Sequence, residues 1–144
     1  MSEELDMPLL KPDVYQRVGS DQVPKFPSLI GGKCVCGHVF FPWQSYGCEM
    51  CGGHGSVLTR CALSGTGRLV GVAPVHLHAG KRSAPFTVVS VELDDGPVVR
   101  TLLDGETAKI GDRVTSVLVS VSNPDTDETA LDLRFQVVAS EAVA

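Results

Sequence analysis

The sequence predicts a mostly β protein in three parts: an N-terminal arm over residues 1–30, a cysteine-rich ribbon over residues 31–55 and a small β-barrel over residues 56–140. Three observations carry that reading. Four of the five cysteines fall in one stretch as two close pairs, Cys34/Cys36 and Cys48/Cys51, each pair followed at once by glycine. Beyond them come short runs rich in Val, Leu and Thr, parted by turn signals at a spacing of about ten residues. No stretch of comparable length carries a helical period.

Bulk properties narrow the class. A chain of 144 residues holds one ordinary domain or two small ones. At 43% hydrophobic and 20% charged it suits a globular protein and argues against disorder. No apolar run approaches the roughly 18 residues needed to cross a membrane. The opening MSEELDMPLL is acidic and lacks the basic segment and apolar core of a signal peptide. The expected location is therefore the cytoplasm, where thiols stay reduced. An odd number of cysteines also fits a closed disulfide framework poorly. The net charge is −5, and the 12 basic residues form no dense run. Nucleic-acid binding draws on such runs, so neither a nucleic-acid nor a membrane partner is expected. A local patch for a small anion stays open.

The arm is mixed in polarity and carries Pro8, Pro12, Pro24 and Pro27. Pro8 and Pro12 leave little room for a helix before residue 12. A short helical turn is expected over residues 13–18, with Asp13 as its N-cap. This zone reads as an arm rather than as core.

The ribbon is too short to hold a hydrophobic core of its own. Its order must come from elsewhere. Zinc takes four soft ligands in a tetrahedron, with sulfur at about 2.3 Å. Two ligand pairs on tight turns meet that need, and the glycine after each lets amide N–H groups turn back toward the thiolates. Cys48-Glu49-Met50-Cys51-Gly52 has this form, and Cys34-Val35-Cys36-Gly37 is one residue shorter. The residues between the pairs, starting with His38-Val39-Phe40-Phe41-Pro42, are expected to run out and back as a β-hairpin. Cys34, Cys36, Cys48 and Cys51 are thus expected to hold a structural zinc ion. Binding of that kind contributes about 10–16 kcal/mol in zinc-finger peptides. Iron also suits four thiolates, and His54 is the alternative fourth ligand. A redox pair would be expected near a βαβ pattern, which is lacking. Cys61 has no activating base nearby in sequence and reads as a small core residue.

Six runs follow: SVLTRCALSG, GRLVGVAPVHLH, PFTVVSVELD, PVVRTLLD, RVTSVLVSVS and TALDLRFQVV. Ser64-Gly65, Asp94-Asp95-Gly96, Asp104-Gly105, Gly111-Asp112 and Asn123-Pro124 separate them. Short strands at this spacing suggest a small antiparallel barrel or sandwich. The number and length of the runs match a five- to six-stranded Greek-key barrel of the OB type, whose closure removes exposed edges.

A ribbon followed by such a barrel resembles the rubredoxin-like zinc-ribbon and OB-fold proteins associated with acyl-CoA enzymes. The matching residues are Leu29 up to Cys36-Gly37, Phe41-Pro42, Cys48 with Cys51, and Leu63-Ser64-Gly65-Thr66-Gly67. Pro85-Phe86, Val91-Glu92-Leu93-Asp94-Asp95-Gly96 and Ile110-Gly111-Asp112-Arg113-Val114 continue the match. The first cysteine pair departs from the family's usual spacing by one residue. The resemblance implies a subunit that is not an enzyme by itself and accompanies a thiolase-fold protein carrying the catalytic cysteine. Settings of that kind are acetoacetyl-CoA thiolase coupled to hydroxymethylglutaryl-CoA synthase, aldolases that cut steroid side chains, and benzoylsuccinyl-CoA thiolase. The implied role is to form or stabilise the acyl-CoA site of a hetero-oligomer.

Read on its own, the sequence has no phosphate-cradling G-x-x-x-x-G-K-[ST] and no G-x-S-x-G. No catalytic residue is assigned. VHLHAGKRSAPF is the one concentrated basic patch, with His76 and His78 on one side of a strand and Lys81 and Arg82 after them. Lys81 and Arg82 are the candidates for the phosphates of coenzyme A or for an acidic partner surface; otherwise this is a solvated loop tip. Phe40, Phe41, Trp43 and Tyr46 exceed what so small a ribbon can bury. Phe41, Trp43 and Tyr46 are therefore the candidate partner interface. Two rival classes remain. A nucleic-acid-binding OB protein would need exposed aromatics for stacking, and a free-standing enzyme would have to use the metal or Cys61.

Overall fold

The computed structural model describes residues 7–20, 25–75, 86–105, 107–123 and 125–138. Its strands are, in chain order, β1 (Tyr15–Gln16), β2 (Ser28–Cys34), β3 (Val39–Phe40), β4 (Leu58–Ala62), β5 (Thr66–Val75), β6 (Phe86–Leu93), β7 (Val98–Leu102), β8 (Arg113–Ser122) and β9 (Thr129–Val137). One short 3-10 turn, Gly55–Val57, precedes β4. The expected fold class holds: a mostly β chain with a cysteine ribbon ahead of a barrel.

Strict alternation builds β6. Thr87, Val89, Val91 and Leu93 are buried, and the residues between them are half-exposed. A period of two puts alternate side chains on one face, so this strand presents a continuous apolar stripe. Neighbouring strands answer it in the order β7-β6-β5-β8-β9, every pair antiparallel. β5 skips register between Leu69 and Gly71, a bulge that leaves Val70 unmatched. Bulges bend and twist a strand. Here β5 pairs with β8 through Thr66, Gly67 and Arg68 and with β6 from Gly67 to Val75. The two ends of the sheet then meet. Leu103 bridges Phe135 in parallel, and the Asp104 N–H donates to the Phe135 carbonyl at 2.8 Å. The five strands enclose Leu63, Leu69, Val89, Val91, Val114 and Phe135, all fully buried.

The second sheet is organised around β2. β1 pairs with its first two residues, β3 with Gly32 and Lys33, and β4 runs beside it from Ile30 to Cys34. Two adjacent glycines make a poor strand on propensity alone, yet close approach requires them. A Cβ on Gly31 would sit 2.3 Å from the Phe40 carbonyl oxygen, and one on Gly32 would sit 2.4 Å from the Phe40 ring. The first run after the cysteines therefore pairs with the ribbon, as β4, and the barrel has five strands.

Two local expectations are corrected. Residues 13–18 do not form a helical turn: a turn at 12–14 leads into β1. The backbone there satisfies itself on β2, with the Ile30 N–H donating to the Val14 carbonyl at 2.8 Å. Nor do the residues between the cysteine pairs form a hairpin among themselves. The hairpin is β2–β3, turning through Cys34–Gly37. Pro42 has no N–H to donate, and no strand follows it before Cys48.

The arm also does more than flank the core. Tyr15 is only 2% exposed and belongs to the barrel's apolar cluster together with Leu29. Leu9 bridges Leu131 of β9, with reciprocal backbone bonds Leu10 N–H to Leu131 O and Leu131 N–H to Pro8 O at 2.8 and 2.9 Å. The buried Ser116 hydroxyl of β8 donates to the Pro27 carbonyl at 2.6 Å.

Candidate metal centre

The site is built from two backbone turns that face each other. Cys34 ends β2, and the chain reverses so that the Gly37 N–H donates to the Cys34 carbonyl at 2.8 Å. The second turn closes the same way, with the Gly52 N–H donating to the Cys48 carbonyl at 2.8 Å. Gly37 and Gly52 take φ of 101° and 80°, the left-handed region that glycine enters without a Cβ penalty. The sequence placed a glycine after each pair for this purpose.

The turns bring the four sulfurs of Cys34, Cys36, Cys48 and Cys51 within 4.8 Å of one another. Cys34 and Cys51 lie 3.5 Å apart, and Cys36 and Cys48 lie 3.8 Å apart. A tetrahedral ion with sulfur ligands at about 2.3 Å requires a sulfur–sulfur edge of about 3.8 Å. The donor set and its spacing therefore fit a tetrathiolate metal ion, and the shorter first pair does not prevent it. His54 flanks the 3-10 turn and is not among the ligand atoms that gather here.

Burial is uneven. Cys34 and Cys48 are buried beside Phe40 and Leu58, with Trp43 and Val57 packed around them, while Cys36 and Cys51 are exposed. The protonation of the bare thiols is uneven too. The Cys36 backbone amide favours the Cys34 thiolate, but burial and the three neighbouring thiols outweigh it and push the Cys34 thiol up to about 12. At Cys48 burial works upward. The Cys51 and Met50 amides, with the Cys36 and Cys34 thiols, outweigh it and bring that thiol down to about 7. Four thiolates this close repel one another, and a dication removes that penalty. The Gly53 N–H points at the Cys51 sulfur at 3.4 Å, and His38 faces Glu49 across the turns at 3.7 Å.

The remaining candidates divide. Cys61 lies on β4, half-buried against the barrel core and apart from the cluster. Burial, then the Asp95 carboxylate, pushes its thiol up against the opposing effect of Lys33. Phe40 is buried and stacks on Trp43 and His38, with ring centres 6.2 Å apart in each pair. Phe41 packs against the barrel core, Trp43 is half-buried, and Tyr46 is 85% exposed. His76, His78, Lys81 and Arg82 lie outside the described residues.

One feature of the surface had no signal in the sequence. A groove of about 500 Å³ opens where arm, ribbon and barrel meet, lined in part by Lys11, Tyr15, Phe41, Pro42, Arg100 and Asp132. Those residues come from distant parts of the chain, and no local motif joins them.

No curated protein matches the chain. Solved structures that share its fold include the following two. A chain of the "Ltp2-ChsH2(DUF35) aldolase" is 23% identical with a TM-score of 0.59, covering 78% of this chain and 86% of that one. A DUF35-family protein of unknown function from Sulfolobus solfataricus is 20% identical with a TM-score of 0.50, covering 76% of this chain and 75% of that one. Residues 61–139, more than half of the sequence and spanning all five barrel strands, match the family described as "ChsH2, C-terminal OB-fold domain", and the chain belongs to that family.

Proposed function

We propose that the chain is a non-catalytic subunit that associates with a thiolase-fold partner and helps form or stabilise the partner's acyl-CoA site. The observation that carries this reading is the shared fold with a chain of the Ltp2-ChsH2(DUF35) aldolase over most of both chains, joined to family membership. In this reading Cys34, Cys36, Cys48 and Cys51 hold a structural zinc ion, which supplies the order that a ribbon with so few buried residues lacks. The partner brings the catalytic cysteine. Phe41, Trp43 and Tyr46 contribute to the contact with it, and Lys81 and Arg82 meet the phosphates of coenzyme A. The division of labour follows the three zones: arm 1–30 as a clamp on β2 and β9, ribbon 31–55 as the metal-held contact, OB domain 56–140 as the scaffold. The complex works in the cytoplasm.

No helix among the described residues is long and apolar enough to cross a membrane. Apart from Phe86 and the fully buried Phe135, the barrel strands offer mostly Val, Leu and Thr where a nucleic-acid barrel offers stacking rings.

Affinity purification from the native host tests the assignment. A thiolase-sized partner should co-purify, and acyl-CoA turnover should need both chains. A monomer that runs alone, or turnover of acyl-CoA by this chain without a partner, would sink the reading. Lys81→Ala with Arg82→Ala should leave folding intact and weaken acyl-CoA use by the complex; unchanged use would remove those two residues from the site.

A further inference from the structure

We infer that the four-cysteine site is also a peroxide-oxidation site with one fixed outcome: two disulfides that cross between the turns, Cys34 to Cys51 and Cys36 to Cys48. The inference rests on the cysteine geometry and not on the partner or its substrate.

Distance and burial carry it together. Two cross-turn sulfur contacts are short, 3.5 Å for Cys34 with Cys51 and 3.8 Å for Cys36 with Cys48. Each contact joins one exposed cysteine to one buried cysteine, Cys51 to Cys34 and Cys36 to Cys48. Peroxide reaches the exposed member first, because susceptibility follows exposure. The buried member, from the opposite turn, stands ready to resolve the product. Sequence spacing alone points elsewhere, to a local Cys48–Cys51 bridge in the CxxC manner. The fold overrides that spacing by holding each exposed sulfur against a partner from the other turn. A disulfide needs sulfurs at about 2.05 Å, so closure from these contacts asks for about 1.5 to 1.8 Å of sulfur movement.

The chemistry balances with hydrogen peroxide as the oxidant. The exposed thiolate attacks one peroxide oxygen; the S–O bond forms, the O–O bond breaks, and hydroxide leaves to take up a proton as water. The buried thiolate then attacks the sulfenic sulfur. The S–S bond forms, the S–O bond breaks, and the second hydroxide leaves as water after protonation. Each pair loses two electrons and reduces one peroxide to two waters. Two peroxides thus convert four thiolates to two disulfides and release any ion they held. The crossed bridges tie the same two turns that the ion tied, so the ribbon stays joined, and a reducing thiol restores the site.

Disulfide mapping of the full-length wild-type protein tests this. Metal content and free thiols are measured first. The protein is then treated with hydrogen peroxide at neutral pH, remaining thiols are alkylated, and the chain is digested without reduction between Cys36 and Cys48 and after Glu49. Electron-transfer fragmentation then separates Cys34 from Cys36. The expected products are Cys34–Cys51 and Cys36–Cys48, at least tenfold over any other pairing, with Cys61 alkylated. A dominant Cys48–Cys51 bridge, scrambled pairing, or sulfinic acid in place of disulfide overturns the inference. Failure of the metal assignment shows separately, as a protein that carries no metal before peroxide is added.

Discussion

The Tyr15 hydroxyl lies 3.0 Å from Asp132 Oδ1, joining residues separated by most of the chain. The same oxygen is 3.0 Å from the Leu131 carbonyl and accepts the Lys11 N–H at 3.2 Å. One buried phenol thus ties the arm to β9, on the wall of the groove between arm, ribbon and barrel. Burial first, and then the Asp132 carboxylate, pushes its pKa well above the ordinary 10.0.

Tyr15→Phe keeps the buried ring and removes the knot. The expected cost is about 1–2 kcal/mol, since polar partners are left without it. The pH dependence has a definite sign. A group whose pKa is raised by folding contributes stability that is complete below its unfolded value and lost as pH climbs toward its folded value. Wild type should therefore lose stability as pH rises above about 10, and Tyr15→Phe should lose less. Denaturant midpoints measured from pH 8 to 11 check this; equal slopes for the two proteins would refute the role given to burial at Tyr15.

Gly31→Ala tests the close approach of β2 to the rest of the ribbon. The new methyl would meet the Phe40 carbonyl oxygen at 2.3 Å and Leu63 Cδ1 at 2.8 Å. One of these is backbone and the other is a fully buried side chain, so neither yields cheaply. Overpacking of this kind costs about 3 kcal/mol. Thermal unfolding should show the loss, while Gly47→Ala, where the added Cβ meets nothing within 4 Å, serves as the control.

The sequence was legible where the signal was local. The alternation of residues 86–93 reads directly as a half-buried strand, and the cysteine pairs with their glycines read directly as two facing turns. β2 was not legible. Residues 28–34 read SLIGGKC, and its glycines argue against a strand until Phe40 and Leu63 are seen pressed against them. β1 was missed for the same reason: a two-residue strand exists only because β2 offers an edge. The pairing of Cys34 with Cys51 and of Cys36 with Cys48 depends on how the turns meet, and spacing carries no record of it. The groove beside Tyr15 draws on arm, ribbon and three barrel strands, so it existed nowhere in the linear order.

Cys48→Ser should abolish metal binding and expose the ribbon. Cys48 is 4% exposed and its sulfur stands among the other three, so a hydroxyl in its place leaves three ligands and a polar atom in an apolar pocket. Metal per chain should fall from about one to near zero, with loss of solubility, because structural zinc supplies folding energy outright. Cys61→Ser is the matched control. It removes a half-buried thiol outside the cluster and should keep full metal content at a cost of about 1 kcal/mol. Elemental analysis of both proteins decides the matter: a Cys48→Ser protein that folds with its metal in place would disprove the ligand set.

Tyr46→Ala separates folding from association. Tyr46 is 85% exposed, and among the described residues its one hydrogen bond is from its backbone N–H to the Gln44 side chain at 2.8 Å. Truncating such a side chain should shift thermal stability by no more than about 0.5 kcal/mol. If the ring inserts into a partner, the same truncation should weaken the complex by about 1–2 kcal/mol, a five- to thirtyfold rise in Kd. Trp43→Ala should weaken both, because Trp43 stacks on the buried Phe40 and packs beside Cys34 and Cys48. Calorimetry of each variant alone, followed by titration against the co-purified partner, resolves the two effects. A Tyr46→Ala protein that binds as tightly as wild type would move the contact off this end of the ribbon and toward the groove lined by Phe41 and Pro42.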